Sequence, residues 1–89
     1  MSKHRTPWTT DEETLLLCEV LNRCDDNYIA KNHERTVDGI KYRKIKIALD
    51  LVKDKQKKED ICDIFQMTMD QLKEHIRDMR KYKRIYLND

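Results

Sequence analysis

Apolar positions in this chain recur at helical spacing in four places, while runs of alternating apolar and polar residues, the usual strand signal, are scarce. Leu16, Leu17, Val20, Leu21 and Cys24 trace one face of a first helix. Thr9 is its natural N-cap, with Glu12 three residues on, and Asp11, Glu12 and Glu13 favour the positive end of the helix dipole. Trp8, directly before this acidic turn, is expected to pack beneath the helix. Tyr42, Ile45, Leu49 and Val52, broadened by Ile47, Ala48 and Leu51, predict a second helix from about Asp38 to Lys53. A short third helix follows over Glu59 to Phe65, with Ile61, Ile64 and Phe65 one turn apart. The fourth occupies the stretch from Thr68 to Tyr86. Thr68 and Gln71 have the spacing of a capping box, and Met67 and Leu72 that of a hydrophobic staple. Leu72, Ile76 and Met79 form its buried stripe. Residues 25–37 have no sustained period and read as a loop, with Tyr28 and Ile29 tucked against the core. Residues 1–7 read as a flexible arm before a single domain over residues 8–87.

Composition fits this pattern. The chain has 89 residues, one Gly and one Pro, with 40% of residues charged and 38% hydrophobic. That size is near the limit for a single core. The expected fold is all-α, a small four-helix bundle. Its core draws on Trp8, Leu16, Leu17, Val20, Leu49, Val52, Ile61, Ile64, Phe65, Leu72, Ile76 and Met79. The short third helix, a three-residue connection and the long fourth helix predict a C-terminal helix-turn-helix.

Charge adds a direction. Residues 1–30 hold 3 basic and 6 acidic side chains, against 16 and 11 over residues 31–89. The C-terminal half is thus suited to face a polyanion. On the last helix Lys73, Arg77, Arg80 and Arg84 recur at helical spacing, roughly 110° from the apolar stripe. A helix clamped at its start, anchored on one side and basic on another meets the needs of major-groove recognition. The alternative is a solvated helix with surplus Lys and Arg. Lys41, Arg43, Lys44 and Lys46 on the second helix read either as phosphate contacts or as a solvated face.

Other chemistry is sparse. Cys18, Cys24 and Cys62 form no C-x-x-C pair and read as free thiols in a reducing, intracellular compartment. His4, His33 and His75 miss zinc-finger spacing, so no metal or cofactor is expected. Neither an apolar leader nor an 18-residue apolar run is present, which leaves secretion and membrane insertion unsupported. Without a Gly-rich phosphate loop, a nucleophile motif or a ligand cluster, no enzyme activity is expected.

Trp8 to Glu13, WTTDEE, resembles the opening of a Myb/SANT domain, W-T-x-E-E-D. The run Ile61-Cys62-Asp63-Ile64-Phe65 followed by Thr68, Gln71, Leu72, Ile76 and Met79 resembles the family's last two helices. Together the matches cover somewhat over half the chain. Of the family's three tryptophans only Trp8 remains, since the second would fall near Lys58 and the third at Ile76. The long interval from Asp25 to Lys57 is closer to divergent Myb/SANT-like domains of the trihelix and MADF types. The resemblance implies a homeodomain-like fold. It also implies a nuclear DNA-binding domain of a chromatin or transcription-regulatory protein, reading duplex DNA with its last helix. The family's base-reading positions carry over to Lys73, Glu74, Arg77 and Asp78. Lys73 and Arg77 suit guanine O6 and N7, and Glu74 suits a cytosine amine. Arg80, Lys81 and Arg84, with Lys41, Lys44 and Lys46, are the candidate phosphate contacts. The alternative is a SANT-like interaction module that binds a chromatin protein, a histone tail or a second copy of itself. Tyr82, Ile85, Tyr86 and Leu87 would then cap the bundle or form a self-association patch.

Overall fold

Helices form wherever the sequence sets an apolar stripe behind a start signal, and also in one place where the stripe is part charged. The structure is a computed structural model that describes the backbone of residues 6–86 and the side chains of residues 6–78. The described residues are all-α, with no strand. The helices are α1 (Thr10–Leu21), α2 (Asp26–His33), α3 (Val37–Lys53), α4 (Lys58–Phe65) and α5 (Met69–Tyr86). The expectation of four helices is thus corrected to five.

The added helix is α2, in the stretch expected to be a loop. Asp25 caps it: the Tyr28 N–H donates to Asp25 Oδ1 at 2.7 Å. Ile29, Ala30 and His33 form its buried side. One of those three is a histidine, so the apolar pattern is too short to register as a helix. The same region corrects Tyr28, which is 58% exposed while Ile29 is fully buried. On α3 the expected stripe is out by one position: Tyr42 is 63% exposed, and Ile40 is buried in its place.

The chain divides into two compact units, Met1–Lys44 and Ile45–Asp89. In the first, Leu16, Val20, Ile29, Ala30 and Ile40 are buried, together with Glu12, Glu19 and His33. In the second, Ala48, Leu49, Ile61, Phe65 and Leu72 are buried, with Val52, Ile64 and Ile76 half-buried. Trp8 and Leu17, expected in the core, are half-buried. Met79 lies outside the residues whose side chains are described.

Helices α1 to α4 end without glycine. Arg23, Glu34, Lys55 and Gln66 adopt positive φ, at 62°, 54°, 64° and 53°. After each, the next N–H donates back five residues, from Cys24 to Glu19, Arg35 to Ala30, Gln56 to Leu51 and Met67 to Cys62, at 2.9–3.1 Å. These bonds satisfy carbonyls that a helix end otherwise leaves open. The left-handed backbone costs a side-chain-bearing residue about 1 kcal/mol at each stop.

Between α4 and α5 the connection is residues 66–68, and the two helices pack on one another. The capping box at α5 is complete. The Gln71 N–H donates to Thr68 Oγ1 at 3.1 Å, and the Thr68 N–H donates to Gln71 Oε1 at 2.9 Å. Thr68→Ala is expected to destabilise the C-terminal unit by about 0.5–2 kcal/mol. Hydrogen exchange should show the damage at the amides of Asp70 and Gln71; unaltered protection there would mean the cap contributes nothing.

Candidate functional site

Two sets of polar side chains stand out, one on the surface of the C-terminal unit and one buried in the N-terminal unit. The surface set is on α5. Leu72 is fully buried and Met69, His75 and Ile76 are half-buried, while Lys73, Glu74, Arg77 and Asp78 are all exposed. At about 100° per residue, Asp70, Glu74 and Arg77 point farthest from Leu72, with Lys73 and Asp78 on the flanks. Lys73 and Arg77 have no ion pair with another described residue. The described face is therefore mixed, two cations among three carboxylates. Arg80, Lys81 and Arg84 lie outside the residues whose side chains are described, as do Tyr82, Ile85, Tyr86 and Leu87.

The α3 cations divide. Lys46, in the same unit as α5, is exposed and unpaired among the described residues, and Lys41 is exposed in the N-terminal unit. Lys44 differs: its Nζ lies 3.0 Å from Asp26 Oδ1 and the side chain is only 21% exposed. Arg43 is held too, 3.2 Å from Glu13 with its Nε buried and unpartnered among the described residues. Lysines that the apolar pattern leaves out also surface in the C-terminal unit: Lys53, Lys55, Lys57 and Lys58 are exposed. Their signal is the charged connector itself, where α4 starts at Lys57 without a side-chain cap.

The buried set joins α1 to α2 within the N-terminal unit. His33, 1% exposed, places Nδ1 at 2.9 Å from Glu12 Oε2 and Nε2 at 2.5 Å from Glu19 Oε1. Arg35 donates to Glu12 through Nε and Nη2, each at 2.8 Å, and through Nη1 to the Thr6 carbonyl at 3.0 Å. Asn32 Nδ2 donates to Glu19 Oε2 at 2.8 Å. Hydrogen bonding to Glu12 raises the Arg35 pKa above its ordinary value; attraction to the same carboxylate adds to this and burial opposes it. Trp8 completes the set. Its ring lies 5.5 Å from the His33 ring, with the Arg35 guanidinium 4.3 Å and that of Arg43 5.1 Å from its centroid. Such cation–π stacking is worth more where the cation is desolvated. A signal for this cluster exists in the sequence. Glu12, Leu16 and Glu19 fall on one side of α1, so two carboxylates flank its most buried residue.

The two carboxylates address opposite ring nitrogens and do not converge on one point. Among the described residues no three His, Cys, Asp or Glu side chains are placed to hold a metal ion. All three cysteines are free, Cys18 exposed and Cys24 and Cys62 half-buried. No described helix is long and apolar enough to cross a membrane. Beside α1, an open groove is lined by Thr6, Pro7, Thr9, Asp11, Glu12 and Leu15. Comparison with family models, curated proteins and solved structures finds no match for this chain.

Proposed function

We infer that the C-terminal unit binds duplex DNA, with α4 and α5 acting as a helix-turn-helix of Myb/SANT-like type in a nuclear chromatin or transcription-regulatory protein. One observation carries the reading. Lys73 and Arg77 are exposed, unpaired cations one turn apart on a capped helix anchored by Leu72. In the N-terminal unit, by contrast, Arg35, Arg43 and Lys44 are engaged by carboxylates. Cations left free are the ones available to a polyanion. Arg77 and Lys73 suit guanine edges, and Glu74 a cytosine amine. Asp78 and Asp70 repel phosphate, which favours specificity over bulk affinity.

Arg77→Ala is expected to weaken binding to a selected duplex by about 1–3 kcal/mol and relax preference at one base pair. Lys46→Ala should instead weaken all duplexes alike and reduce the salt dependence by about one unit. Titrations at several salt concentrations check both. Absence of binding to any duplex at low salt removes this reading.

The second reading is a protein-interaction module, with a chromatin partner, a histone tail or a second copy of the chain. It is favoured by the mixed charge of the described α5 face and by Leu15 and Leu21, 47% and 56% exposed on α1. Neither substitution pattern above is expected from it.

A further inference from the structure

We propose that the Glu12–His33–Glu19 cluster is a proton-dependent clamp, in which His33 is held doubly protonated and α2 stays docked on α1 only while that proton is kept. Each ring nitrogen of His33 faces a carboxylate oxygen, at 2.9 Å for Glu12 and 2.5 Å for Glu19. A neutral imidazole has one N–H and one lone pair. Between two carboxylates it would turn that lone pair onto an oxygen lone pair, at a site where the ring is 1% exposed. A second N–H removes the conflict and gives both carboxylates a charge-assisted donor.

Charge balance points the same way. From α1 the ring is faced by Glu12 and Glu19, and the residue after α2 supplies Arg35, on Glu12. Asn32 on α2 contributes a neutral donor to Glu19, and the segment before α1 contributes the uncharged Trp8 ring. On α3 the nearest charge, Arg43, stacks on Trp8 and is neutralised by Glu13. With a protonated His33 the buried cluster holds two positive and two negative charges. Without that proton it keeps an uncompensated carboxylate, a costly thing to bury.

The consequence for stability has a definite sign. Above the range where a free imidazole is neutral, about pH 6.5, the folded unit holds one proton more than the unfolded chain. Protons bound in the unfolded state minus those in the native state is then negative, so stability falls as pH rises. For one proton the folding equilibrium constant drops roughly tenfold per pH unit while the clamp stays loaded.

The test is urea unfolding of the full chain from about pH 6 to about pH 9, across the range in which histidine switches. It is followed by the fluorescence of Trp8, the only tryptophan and a member of the cluster. Wild type should lose stability steadily over that range. In Glu19→Gln the side-chain amide can donate to a bare ring nitrogen, so the decline should flatten. Superimposable pH profiles for the two proteins would overturn the clamp. Should the variant fail to fold, nitrogen NMR of wild-type His33 decides. Two protonated ring nitrogens at neutral pH support the proposal, and one unprotonated nitrogen overturns it.

Discussion

Replacing Glu12 with Ala is expected to destabilise the N-terminal unit by about 3–5 kcal/mol, the range for breaking a buried ion pair by removing one partner. Glu12 accepts from His33 and twice from Arg35, and all three side chains are no more than 8% exposed. The truncation leaves the guanidinium and one ring nitrogen facing an apolar methyl group. Water cannot replace the lost acceptor unless the site opens. Arg35 would also lose its anchor beneath Trp8, and with it the cation–π contact. Glu12→Gln keeps the shape and part of the hydrogen bonding, so it should cost less than Ala. Urea unfolding monitored at Trp8 measures both. A loss under about 1 kcal/mol for the Ala variant would mean that the cluster is solvated in solution.

Leu72→Ala is expected to cost the C-terminal unit about 2–5 kcal/mol. Leu72 is fully buried and follows the capping box at the start of α5, where α5 meets α4. Losing it leaves a cavity between two helices that cannot readily close, because residues 66–68 fix the turn on one side. Ile61 and Phe65 are the other buried side chains of this pair of helices. The loss should be larger than for Thr68→Ala, since a cavity forfeits packing as well as transfer free energy. Circular dichroism through a denaturant series checks the ranking. A smaller loss than for Thr68→Ala would place Leu72 outside the core.

The all-α class, the cap at Thr9 and both bonds of the Thr68–Gln71 box are legible in the sequence, because each rests on local spacing. The exposed side of α5 is legible for the same reason: once Leu72 and Ile76 point inward, Lys73 and Arg77 cannot. Helix α2 is not legible. Its buried side includes His33, whose burial depends on Glu12 and Glu19, 21 and 14 residues earlier in the chain. A pattern search scores all three as polar. Tyr42 fails differently: an aromatic at heptad spacing was a fair candidate for the core, but Ile40 is buried instead. The engagement of Lys44 by Asp26 is equally hidden, since the partner lies on an element that the apolar pattern does not reveal. Whether the exposed α5 cations meet DNA depends on a partner, which no spacing in a single chain encodes.

The glycine-free helix stops have a consequence for association. A residue with a Cβ explores far less backbone space than glycine, so a junction built on Gln66 has less freedom to lose when a ligand arrives. Reciprocal bonds at Thr68 and Gln71 narrow it further. The disorder that a flexible turn would surrender at the moment of binding is surrendered already on folding. Preorganisation of this kind improves affinity by lowering the ordering penalty, without adding a single contact.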